Sequence, residues 1–82
     1  MNRAQYRVLH HRRLTAAQAV ADNVADMLVD EGVGDVTCYG SLTWEDRVVV
    51  KVMTARPGLV DLLRSYDFPR IEDRGVCTIA WT

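Results

Sequence analysis

"QYRVLHH", residues 5–11, is the stretch on which the architecture turns. Read as a strand, with Tyr6, Val8 and His10 alternating against their neighbours, it opens a β-α-β-β-α-β order. That order is the split ferredoxin-like arrangement, an α+β domain with two helices on one face of the sheet. Read as a helix, it leaves α-β-β-α-β. The alternation favours the strand, while Arg7 on the second face of a central strand counts against it. The strand is the preferred reading and the helical N-terminus the alternative.

Downstream the elements are easier to place. Thr15 to Gln18 reads T-x-x-Q, a capping box in which hydroxyl and amide each satisfy an orphan backbone donor, so a helix is expected over residues 15–31. Ala17, Val20, Ala21, Val24, Met27 and Leu28 share one face of it, and Gly32 supplies the left-handed stop. Val36, Cys38 and Leu42 then alternate as in a half-buried strand, the turn "TWED" follows, and "RVVVKVM", residues 47–53, reads as an interior strand. "RPGLVDLLRSY" spaces Leu59, Leu62, Leu63 and Tyr66 as a second amphipathic helix. "DFPRIEDRG" reads as a loop, and "VCTIAWT" as a closing strand.

An 82-residue chain with 49% apolar residues forms one domain spanning 1–82 with a single modest core. Its net charge of −1 hides a segregation. Residues 1–14 carry Arg3, Arg7, Arg12 and Arg13 with His10 and His11 and no acid. Residues 15–46 carry Asp22, Asp26, Asp30, Glu31, Asp35, Glu45 and Asp46 and no Lys or Arg. No apolar run approaches the length needed to cross a bilayer, and no apolar segment follows the basic start as in a secretion signal. A soluble, cytoplasmic protein is expected.

Catalytic chemistry finds little purchase. The two histidines, His10 and His11, are adjacent, so in a strand they would point to opposite faces and could not serve one site. In the split arrangement Cys38 and Cys77 fall on the two edge strands, about 14 Å apart, too far for a disulfide; both read as buried thiols. No phosphate-binding glycine loop, dinucleotide fingerprint or zinc-helix motif occurs, and Glu45 and Asp46 on a turn would be hydrated, without the burial that tunes a catalytic carboxyl. No enzyme activity, cofactor or metal is expected.

The helix with Asp22, Asp26 and Asp30 four apart is the exception. Like charges at i and i+4 cost a few tenths of a kcal/mol, and Asp30 and Glu31 in the last turn oppose the helix dipole by about 0.3 to 1 kcal/mol more. Two local rules broken on one face mark a functional candidate. We expect a protein-binding module in which Asp22, Asp26, Asp30, Glu31, Glu45 and Asp46 steer a basic partner, itself a nucleic-acid-handling protein, while Trp44 at the hairpin tip, with Tyr39 next, anchors it. By size class alone this is the kind of inhibitor or adaptor that phages and mobile elements encode, anti-CRISPR proteins among them. The opposing reading is nucleic-acid binding through Arg3, Arg7, His10, His11, Arg12 and Arg13 with the sheet face. The same charge map permits a homodimer in which one copy's basic arm meets the other's acidic helix. An intramolecular pairing of arm and helix would instead satisfy both blocks at once.

Overall fold

A computed structural model describes residues 3–82, with the side chains of Gln5 and of 11–82. The chain is a two-layer α+β domain, as expected. It runs α1 (Arg3–Asp30), β1 (Cys38–Leu42), β2 (Val48–Val52), α2 (Leu59–Ser65), β3 (Arg70–Asp73) and β4 (Thr78–Trp81). The four strands form one sheet in the order β1-β2-β4-β3, antiparallel throughout.

Two expectations are corrected together. The segment 5–11 is helical, so α1 begins at Arg3 rather than at Thr15, and the ferredoxin-like order is not found. Three alternating positions are too few to fix a strand in a run of Gln, Arg, Leu and Ala that has no Gly or Pro to interrupt a helix. Thr15 lies inside the helix, where its hydroxyl donates to the His11 carbonyl at 2.9 Å, the back-bond that lets a Thr sit mid-helix. The sheet takes its fourth strand from "RIED" within the segment read as a loop. Ile71 there supplies the inward apolar contact, and Arg74 N–H to Cys77 carbonyl at 2.9 Å closes the hairpin to β4. β4 is therefore interior, paired with β2 on one side and β3 on the other, rather than an edge.

The pleat sorts the side chains. Gly40, Val50, Ala80 and Ile71 stand in register across all four strands on the helix-covered face, with Cys38, Val52 and Thr78 in the next row. Ala17, Ala21, Val24 and Leu28, at spacings of four, three and four, press onto them; Leu59, Leu63 and Phe68 close the core from α2 and its exit. Thr78, the buried polar residue of this set, donates its hydroxyl to the Thr54 carbonyl at 2.9 Å. Both cysteines are buried and free. On the uncovered face Tyr39, Lys51, Ile79 and Glu72 form one cross-strand row, and Ser41, Val49, Trp81 and Arg70 the next.

The seat of α1 on β1 is unusually close. A Cβ placed on Gly40 would lie 2.1 Å from the Ala17 carbonyl oxygen, so only glycine allows the helix backbone to rest on this strand. Gln18 beside it spans the edge of the sheet: its Oε1 accepts the Gly40 N–H at 2.9 Å and its Nε2 donates to the Cys38 carbonyl at 3.2 Å. The amide that was read as a helix cap thus completes the backbone bonding of an edge strand.

Gly40→Ala is expected to destabilise the fold by about 3 kcal/mol, because the obstacle is helix backbone that cannot step aside locally. Ser41→Ala, one residue along on the open face, is expected to change stability by less than about 0.5 kcal/mol. Urea unfolding of the two variants checks the difference.

Candidate functional site

With α1 seated at Ala17, its two ends meet different surroundings. Twenty-eight residues make a rod of about 42 Å, whereas a five-residue strand spans about 17 Å. The molecule accordingly measures 46 × 21 × 20 Å. Core contacts begin at Ala17, and His11 through Ala16, like Gln5, are exposed. The N-terminal half of α1 is an arm beyond the sheet. The side chains of Arg3, Arg7 and His10 lie outside those described, but their positions belong to this arm.

The acidic residues lie on the other half. Asp22, Asp26 and Asp30 are exposed on the side of α1 turned from the core, and Glu31 is exposed in the turn that follows the helix. Asp22 accepts the Gln18 amide at 3.0 Å. For Asp26, Asp30 and Glu31, no cation lies within ion-pair distance among the described residues. The basic segment and Asp22, Asp26 and Asp30 sit on one helix, separated along its axis. An arm-to-stripe pairing within one chain is therefore not formed. The charges are also set in the unfavourable sense for the helix dipole: the first turn holds no acid to meet its positive end and the last turn no base to meet its negative end.

The hairpin tip belongs to the arm's end of the molecule. Thr43 N–H donates to the Arg47 carbonyl at 2.8 Å and Asp46 N–H to the Thr43 carbonyl at 2.9 Å, while the Thr43 hydroxyl accepts the N–H groups of Glu45 and Arg47. Asp46 takes the left-handed conformation, φ 61°, that ends such a turn. Trp44 occupies the first central position, where no residue opposes it, and is 92% exposed. The Asp46 carboxylate pairs with Arg13, tying tip to arm, and Glu45 lies 3.8 Å from Arg47.

The residues expected to form one binding face therefore separate into two. Asp22, Asp26, Asp30 and Glu31 form one patch; Trp44, Glu45 and Asp46 lie at the level of Arg13, about 20 Å back along the helix from Asp26. Two of the six steering acids are occupied by arginines. Tyr39, 54% exposed, belongs to the open sheet face beside Lys51. On that face the Arg70 guanidinium covers Trp81 at 4.4 Å from the ring centroid, a contact the loop reading of "RIED" could not supply. Tyr66 was read as a core position only. Its hydroxyl is buried with no hydrogen-bond partner among the described residues, and that burial, then Glu31 and Asp30, holds its ionisation above the usual range.

Among the described residues no three of His, Cys, Asp and Glu gather to hold a metal ion, and no helix is long and apolar enough to cross a membrane. A shallow cavity of about 340 Å³ lies between the loop before α2 and the β3–β4 turn, lined by Arg56, Asp61 and Asp73 among others. Comparison with known protein families, curated proteins and solved structures finds no match to this chain.

Burial, and then Asp22, raise the Cys38 thiol above its ordinary value of 9.0; Tyr66 is raised above 10.0. Both groups stay neutral longer in the fold than in the unfolded chain. The stability this represents is fully present below pH 9 and is lost as the pH climbs through 9 and 10. The urea midpoint is expected to hold from neutrality to about pH 9 and to fall steadily above it, with Cys38→Ala flattening the first part of the fall.

Proposed function

We propose that this chain is a non-enzymatic protein-binding module with two contact surfaces, the Trp44 tip and the acidic face of α1. The observation that carries the reading is Trp44: an indole 92% exposed, at a turn held by four hydrogen bonds and by the Asp46–Arg13 pair. An aromatic ring presented on a rigid tip loses little freedom on binding, and buried tryptophans are among the commonest interface hot spots. The acidic face supplies the second surface. Asp26, Asp30 and Glu31, exposed and without an internal cation among the described residues, favour a basic partner and speed encounter with it.

In its finer form the reading is an inhibitor or adaptor of the kind phages and mobile elements encode, acting on a basic protein that handles nucleic acid. Charge sign is its support: a surface that attracts such a protein competes for the groove that holds phosphate. A second reading, single-stranded nucleic acid on the open sheet face, draws on the register that sets Tyr39 beside Lys51 and Trp81 beside Arg70.

The test is capture of partners from nuclease-treated lysate, followed by titration of the recovered protein. Trp44→Ala is expected to weaken its binding by about thirtyfold or more, roughly 2 kcal/mol, and to leave the urea midpoint unchanged. Recovery of nucleic acid instead, unaffected by Trp44→Ala and lost with Tyr39→Ala, would favour the second reading and contradict the first.

A further inference from the structure

The two edges of the sheet are finished differently. At β1 the outward main chain of Cys38 and Gly40 is met by the Gln18 amide. At β3, the other edge, no group among the described residues bonds the main chain from the outer side. The ladder fixes which groups face out there. Arg74 N–H donates to the Cys77 carbonyl at 2.9 Å, so the main chain of residues 74, 72 and 70 turns toward β4 and that of Ile71 and Asp73 turns away from it. By the same alternation Pro69, just before the strand, falls on the outward side, where its missing N–H loses no ladder bond. Outward N–H groups at Ile71 and Asp73, with carbonyls at Pro69, Ile71 and Asp73, are a template for another strand.

The side chains select the strand that fits. A second β3, related by a twofold axis through Ile71, runs antiparallel to the first and sets Ile71 against Ile71 and Arg70 against the partner's Glu72. Arg70 and Glu72 both stand on the open face of the sheet. In the new pair they occupy the positions without hydrogen bonds, where Cα atoms approach to about 4.5 Å and side chains come closest. Opposite charges so placed stabilise paired strands, and like charges destabilise them. The neighbouring registers fail on that ground: a twofold through Glu72 opposes two glutamates, and one through Asp73 opposes two aspartates. The Arg70 guanidinium, lying over Trp81, would sit between that ring and the incoming carboxylate. Glu72 has an oxygen to give, since its Oε1 takes Arg74 Nε at 3.1 Å while Oε2 is held only at 3.4 Å by Arg74 and 4.0 Å by Arg70. On the covered face the two Ile71 side chains, each half-buried at the margin of its core, would close against each other.

We infer that β3 is a self-association edge: two copies join through Arg70–Asp73, about a twofold at Ile71, into one continuous antiparallel sheet with the helices of both on one face. The two Ile71 residues exchange N–H···O bonds, and each Asp73 N–H donates to the partner's Pro69 carbonyl. The contact lies at the edge opposite β1 and leaves the Trp44 tip and the acidic face of α1 free for other partners.

Sedimentation equilibrium of the full chain, with hydrogen exchange read residue by residue, tests it. Self-association is expected by millimolar concentration. As it sets in, the Ile71 and Asp73 amides are expected to slow at least twofold relative to those of Arg70 and Glu72, which β4 already holds. Arg70→Glu and Glu72→Arg each set like charges across the axis, and either variant alone is expected to stay monomeric. An equimolar mixture of the two pairs Arg with Glu at both positions and is expected to associate, with circular dichroism showing each variant folded. A native chain that stays monomeric at millimolar concentration overturns the inference. So does association that leaves the Ile71 and Asp73 amides unchanged, association that both variants retain alone, or folded variants that fail to associate on mixing.

Discussion

The contact between the Ala17 carbonyl and Gly40 governs the rest of the molecule. It is the point at which α1 touches backbone rather than side chain, and a Cβ at Gly40 would lie 2.1 Å from that oxygen. Gln18 locks the contact by giving the edge strand the acceptor and the donor that another strand would have given. This edge is thereby less available for pairing with other chains. Because the helix is pinned there, everything N-terminal to Ala17 overhangs the sheet, and everything from Ala21 to Asp30 lies along the core. The segregation of charge in the sequence becomes a segregation in space.

That translation explains why the two charge blocks do not neutralise each other. Had the first fourteen residues folded back as a strand, arginines and aspartates could have met across the domain. As one helix they are held apart. Among the described residues, the ion pair that links the basic segment to the acidic middle is Arg13 with Asp46, at the hairpin tip, where it steadies the turn that carries Trp44. One arginine is thus used for positioning, and Arg12 beside it is exposed.

The parts of this arrangement that could be read in advance were those fixed by periodicity. Of the six positions read as one helical face, Ala17, Ala21, Val24 and Leu28 are buried and Val20 half-buried, whereas Met27 is exposed; "RVVVKVM" supplies an interior strand, and of Leu59, Leu62, Leu63 and Tyr66 the first and third are buried on a second helix. What could not be read were features that depend on neighbours. Thr15 and Gln18 have the spacing of a cap, but capping requires a chain end there, and the helix runs through to Arg3. "RIED" has one apolar residue in four, and its strand exists because β4 offers it a partner. The fine structure of the site escaped for the same reason. Spacing placed Asp22, Asp26 and Asp30 together correctly, whereas joining them to Trp44 and Asp46 required knowing where the hairpin sits along the helix.

The most direct test of the account is hydrogen exchange of the α1 amides in the native chain and in Gly40→Ala. If the seat at Gly40 holds the helix on the sheet, amides from Ala21 to Leu28 are the most protected of α1 in the native chain, those from His11 to Ala16, beyond the core, exchange faster, and Gly40→Ala strips the protection of the Ala21–Leu28 segment. Protection of that segment that Gly40→Ala leaves unchanged would contradict the account, since the helix would then be held without the seat.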